Sequence, residues 1–155
     1  MSSLFHQAIL DYYKSSKSHQ QYDVWLNYAL STNQRGRYAI DKLLKFTFSL
    51  KGKRLLDIGS GYGGTCIAAA QRGAQCVGIE IDPKLIELAD INRQDHPHLA
   101  TTFFQMDILD WEQAKRLGHF ELITCDNVIE HVAVPERLIA HFSLLLRKGG
   151  FAYMP

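Results

Sequence analysis

From Arg54 onward, short apolar runs alternate with amphipathic segments four and a half times. Residues 54–58, 76–79, 101–105, 120–125 and 151–154 read as strands, the first a buried apolar run ending at a glycine cluster. Between them, residues 65–72 form a small-residue helix that Gly73 ends. Pro83 opens a second helix carrying Leu85, Ile86, Leu88 and Ala89, closed by His96-Pro97-His98. Residues 111–117 make a short third helix. Pro135 opens a fourth with Leu138, Ile139, Phe142, Leu145 and Leu146, and Lys148-Gly149-Gly150 turns it into the last strand. This alternation predicts an α/β fold: a doubly wound, mostly parallel sheet in the order 3-2-1-4-5 with helices on both faces. Ligands in such sheets bind beyond the carboxyl ends of the strands, where the strand order reverses.

The first fifty residues read as helical. Leu4, Ala8 and Ile9 form one apolar face, Val24, Trp25, Tyr28 and Ala29 a second, and Ile40, Leu43, Leu44 and Phe48 a third. Residues 14–19 and 31–36 read as connections. The predicted organisation is a helical segment, 1–50, followed by an α/β domain, 51–155. With order 3-2-1-4-5, the fifth strand runs into Pro155 as an apolar edge. The expectation is a chain cut short of its last strands, or an edge covered by a second copy or another partner.

Composition narrows the function classes. Hydrophobic residues make up 46% and charged residues 21%, an ordinary globular balance. The net charge of +1 gives no global pull toward nucleic acid or anionic lipid. No stretch approaches the ~20 apolar residues that span a bilayer, and the amino terminus lacks the basic start and apolar run of a secretory signal. Cys66, Cys76 and Cys125 are odd in number and form no CxxC pair, so they read as small buried hydrophobes in a reducing cytosol.

The chemistry concentrates in Asp57-Ile58-Gly59-Ser60-Gly61-Tyr62-Gly63-Gly64, between a strand and a helix. Glycines permit positive φ and close approach of a ligand to the backbone. Gly59, Gly61 and Gly64 satisfy the GxGxxG spacing of dinucleotide sites. Glu80, at the second strand's end, suits a ribose in either reading, because a carboxylate accepts from both hydroxyls. Asp57 separates the readings. Its charge repels a pyrophosphate and suits a ligand carrying an ammonium and a sulfonium.

Residues 55–64 resemble motif I of class I, Rossmann-like S-adenosylmethionine (SAM)-dependent methyltransferases. Glu80 with Asp82, Asp107-Ile108, Asp126 to Val132 (DNVIEHV) and Leu144 to Gly150 (LLLRKGG) resemble the family's later motifs, in order, across residues 50–155. The resemblance implies a SAM-dependent enzyme acting on a small molecule. Asp57, Ser60 and the Gly59, Gly61 and Gly63 backbone would cradle the methionine part. Glu80 would bind the ribose and Ile81 would pack on the adenine. Asp107 and the Ile108 N–H would read the adenine edge. The Asp126 carbonyl would face the ammonium, and Arg37 would pair with the carboxylate. Glu130 and His131 match the EHV of small-molecule members and are the candidate catalytic pair. Some relatives carry an ExxEH metal cluster there, but Asn127 stands where its first Glu belongs, so no metal is expected. The helical segment would form a lid, with Tyr12, Tyr13, Tyr22, Trp25 and Tyr28 either walling the cleft or packing on the sheet. Two rivals remain: a NAD or FAD oxidoreductase domain, and a binding-only methyltransferase-like remnant. The Asn-Pro-Pro-Tyr of base N-methyltransferases is absent, which argues against a nucleic-acid acceptor.

Overall fold

The computed structural model describes residues 3–154; Met1, Ser2 and Pro155, at the outer limits of the two expected segments, lie outside the described residues. Strands β1 (Arg54–Ile58), β2 (Gln75–Glu80), β3 (Thr101–Gln105), β4 (Phe120–Cys125) and β5 (Leu146–Tyr153) form one sheet in the order β3-β2-β1-β4-β5. Every pairing is parallel. The register brings the carboxyl ends level: Ile58 lies opposite Ile79 and Cys125, and Glu80 opposite Gln105. The chain steps outward from β1 to β3 and then returns to β4 on the other side of β1. A crevice therefore opens above β1 and β4.

Alternate residues of β1 face opposite ways. On one face Leu55 joins Cys66, Ala69, Ala89 and Leu122 beneath α4 (Gly64–Ala70) and α5 (Pro83–Gln94). On the other, Leu56 and Ile58 join Ile123, Leu138 and Phe142 beneath α6 (Trp111–Ala114) and α7 (Pro135–Leu145). Each fully enclosed Leu or Ile contributes ~1.5–3 kcal/mol of apolar burial. Pro135 occupies the first turn of α7, and the Asp82 carboxylate caps α5 by accepting the Lys84 N–H at 2.8 Å. All three cysteines are buried and unbridged. Burial pushes the Cys66 thiol up and the Cys125 thiol to about 12, which leaves both inert.

The amino-terminal helices are α1 (Leu4–Tyr12), α2 (Tyr22–Leu30) and α3 (Thr32–Leu43). Their details depart from the sequence pattern. Residues 31–36 are not a connection: α3 begins at Thr32, and its first turns, with the poor helix formers Asn33 and Gly36, are held by packing on α4. Phe5, not Leu4, accompanies Ile9 into the core, and Val24 is exposed. Phe48 lies beyond α3 and is fully exposed. The fifth strand begins at Leu146, five residues before its expected start, directly after α7. Phe120 pairs with Leu146 but Leu122 with Phe151, so residues 147–150 bulge from the ladder. β5 is the outer strand on that side of the sheet. No described helix is long and apolar enough to cross a membrane.

Candidate functional site

A cleft of about 540 Å³ lies over the carboxyl ends of β1, β2 and β4. Its floor is the glycine loop, where Gly59, Gly61 and Gly63 take φ of +71°, +50° and +80°. Four of the loop's N–H groups are bonded within the protein. Gly59 and Ser60 donate to the Ile79 carbonyl at 2.9 and 3.0 Å, and Gly63 donates to the Ser60 carbonyl at 2.8 Å. Gly61 donates to Glu80 Oε2 at 3.2 Å. A side chain at Gly59 would strike Val128 of the loop after β4, so the two loops meet only because Gly59 has none. The Ser60 hydroxyl lines the cleft, buried and without a partner. Gly63 is buried outside the lining. A Cβ there would come within 2.5 Å of the Phe103 ring, so its role is packing and turn geometry.

Asp57 sits under the loop, 4% exposed. It accepts the Thr124 hydroxyl at 2.7 Å and the Cys66 thiol at 3.9 Å. Burial drives its pKa up to about 7; the Thr124 bond opposes this, and the Asp126 and Glu80 charges add to it. Glu80 is oriented by the backbone. Its Oε1 accepts the Ile81 and Asp82 N–H groups at 2.8 and 3.2 Å, while Oε2 holds Gly61. Ile81 lines the cleft with an exposed side chain. Asp107 lines it too, and its Oδ1 accepts the Leu109 N–H at 2.8 Å. Ile108 is buried beside it, its carbonyl bonded to His141 Nδ1 at 2.7 Å. Asp126 lines the opposite wall with Asn127, Val128, His131, Val132 and Ala133. Asn127 is the one described non-glycine residue with positive φ, at +53°.

Two more expected residues, besides Gly63, fall outside the lining. Arg37 is exposed and outside the lining; Arg35 lines the cleft in its place. Residues two apart on a helix do not share a face. The Arg35 guanidinium lies 3.5 Å from the Tyr28 ring centroid and donates to the Tyr28 carbonyl at 3.0 Å, while its Nε is buried without a partner. Glu130 is exposed and outside the lining, whereas His131 lines it. The two share one tight turn, Ile129–His131, in which successive residues point in different directions. Of the five amino-terminal aromatics, Tyr28 alone lines the cleft. The Tyr13 hydroxyl bonds that of Tyr62 at 2.7 Å, and Trp25 stacks on His19. Thr124, the partner of Asp57, carries no sequence signal beyond its place on a buried strand.

Residues 31–154 match the family described as Methyltransferase domain. The chain belongs to that family. Among curated members, the methyltransferase domain is similar to the ubiquinone biosynthesis O-methyltransferase of Coxiella burnetii, 34% identical over 110 residues, 70% of this chain and 45% of the relative. The enzyme of the same name from Psychrobacter cryohalolentis is 28% identical over 125 residues, 81% of this chain and 49% of the relative. The chain thus spans less than half the length of these relatives. The fold matches magnesium protoporphyrin IX methyltransferase from Synechocystis PCC 6803, solved with bound SAH (S-adenosylhomocysteine), at TM-score 0.64 and 23% identity, over 79% of this chain and 55% of that one. It also matches the YcgJ protein of Bacillus at TM-score 0.67 and 20% identity, over 76% of this chain and 49% of that one.

Proposed function

We propose that this methyltransferase domain binds SAM in the cleft and serves methyl transfer to a small-molecule acceptor. The observation that carries the reading is the way the glycine loop spends its donors. The N–H groups of Gly59, Ser60, Gly61 and Gly63 are all bonded within the protein, one of them to the Glu80 carboxylate. A pyrophosphate would find those four donors taken and would face Asp57, Glu80 and Asp126 as well. A cationic nucleoside needs acceptors, and the cleft offers them.

The residues fit that ligand group by group. Glu80 accepts from the ribose hydroxyls. Ile81 packs on the adenine, while Asp107 and the Ile108 N–H meet its edge. Asp57 and the Asp126 carbonyl face the ammonium. Arg35, with its Nε unpartnered, holds the carboxylate, and the orphaned Ser60 hydroxyl gains a partner. When bound, SAM supplies a methyl group on a sulfonium, transferred by in-line displacement. The chain's part is alignment and exclusion of water. His131 is the one imidazole lining the cleft among the described residues, and it takes the proton from an acceptor hydroxyl.

The deciding experiment is calorimetry with SAH and NAD⁺ side by side. SAH is expected to bind and NAD⁺ to give no heat; the reverse result overturns the reading. His131→Ala is expected to lower kcat about 10²–10⁴-fold with SAH affinity unchanged. A fall in SAH affinity with unaltered turnover would assign His131 to the cofactor instead.

A further inference from the structure

α3 crosses α4 at a pair of glycines. A Cβ on Gly36 would run into the Gly64 carbonyl and lie 2.7 Å from the Thr65 nitrogen. A Cβ on Gly64 would run into the Thr32 carbonyl and lie 2.7 Å from the Thr32 hydroxyl. The first turn of α3 therefore rests backbone-to-backbone on the start of the helix that leaves the glycine loop. A second pin holds the same turn. Asn33 and Asn92 exchange amide hydrogen bonds at 3.0 and 2.9 Å, and Asn92, fully buried on α5, also donates to the Tyr62 carbonyl of the loop at 2.8 Å. Arg35 lies between the two pins and reaches the cleft.

We infer that Gly36 and Asn33 are positioning residues: they set the height of Arg35 over the amino-acid end of the site. The inference rests on the SAM reading above, and it names which part of the ligand depends on α3. The residues assigned to ribose and adenine belong to the ends of β2 and β3 and the loops after them, not to α3. To restore an ordinary carbon–oxygen separation, a side chain at position 36 would lift α3 by about 1 Å. That displacement withdraws the guanidinium from a carboxylate and leaves the nucleoside contacts in place.

The test compares SAH with 5′-methylthioadenosine, which keeps the adenosine and thioether but lacks the amino acid. Wild type is expected to bind both. Gly36→Ala should weaken SAH about ten- to hundredfold and leave 5′-methylthioadenosine within about twofold. Asn33→Ala should act in the same direction more weakly, and it carries the test alone if the alanine at 36 prevents folding. In an Arg35→Ala background, either substitution should cost SAH nothing further. Equal losses for both ligands, no loss for SAH, or full additivity with Arg35→Ala would overturn the positioning role. A folded wild type that binds neither ligand overturns the SAM reading, and this inference with it.

Discussion

Asp57→Asn is expected to make the ligand-free protein more stable above pH 7 and to cost it the cofactor. In the folded chain burial lifts Asp57 from its ordinary 3.8 to about 7. Between those values the unfolded chain has released this proton and the folded chain retains it. The folded state then binds more protons, so this group's contribution to stability falls as pH rises through the window and levels off above about 7. Three pH units of such linkage amount to roughly 4 kcal/mol. Asparagine keeps an oxygen for the Thr124 hydroxyl and never ionises. Urea titrations should show the two proteins close below about pH 4, with the variant ahead by up to roughly 4 kcal/mol at pH 8. Slopes from other carboxylates cancel in the difference. These include Asp95, where burial raises the pKa but bonds from the Phe5 and Leu4 N–H groups hold it low.

Binding should show the opposite preference. A ligand ammonium favours the ionised Asp57, so SAH affinity should rise about tenfold per pH unit up to about pH 7 and then level. The variant should bind about a hundredfold more weakly above pH 7 and show none of this slope. A variant that is no more stable at pH 8, yet binds SAH normally, would mean that Asp57 is ionised and contented in the free protein and plays no part in the site.

The site and the fold were legible to different degrees, for physical reasons. The spans of β1, β3 and β4 coincide with the runs that mark them in the sequence, because each is a short run rich in apolar and β-branched residues. The carboxylates of the cleft sit at or just past the carboxyl ends of β1 to β4, so the strand ends bring Asp57, Glu80, Asp107 and Asp126 along one crevice. The amino-terminal helices gave less away. Asn33 and Gly36 disfavour helix, and the turn they belong to is helical because Gly36 seats on Gly64. No single-chain periodicity reports a contact made across twenty-eight residues of sequence. Without that helical turn, nothing in the sequence distinguishes Arg35 from Arg37. Glu130 and His131 are adjacent letters whose side chains part company in a tight turn, and adjacency conceals that. β5 began early because Leu146 adopts extended geometry directly after α7, with the glycines serving the bulge rather than the turn.

Glu80→Ala should have the largest effect on binding. The Glu80 carboxylate already accepts three backbone N–H groups, from Gly61, Ile81 and Asp82. They hold the carboxylate at the mouth of the cleft before any ligand arrives, so little ordering remains to be done on binding. Two ribose hydroxyls donating to a fixed anion contribute about 1.5–3 kcal/mol each. Their joint loss predicts a fall in SAH affinity of about 10²–10⁴-fold. The three N–H groups lie at the cleft, where water replaces the carboxylate, so the melting temperature should fall only modestly. The substitution also removes one negative charge and frees the Gly61 N–H, the two features that turn this loop away from phosphates. Affinity for NAD⁺ should therefore rise from undetectable while affinity for SAH falls. Glu80→Gln separates the two effects: its single oxygen serves only some of the three N–H groups, and its amide nitrogen points a donor at donors. It should lose SAH as severely as the alanine variant and melt lower. If Glu80→Ala binds SAH as wild type does, the ribose lies elsewhere and the polarity assigned to this cleft is reversed.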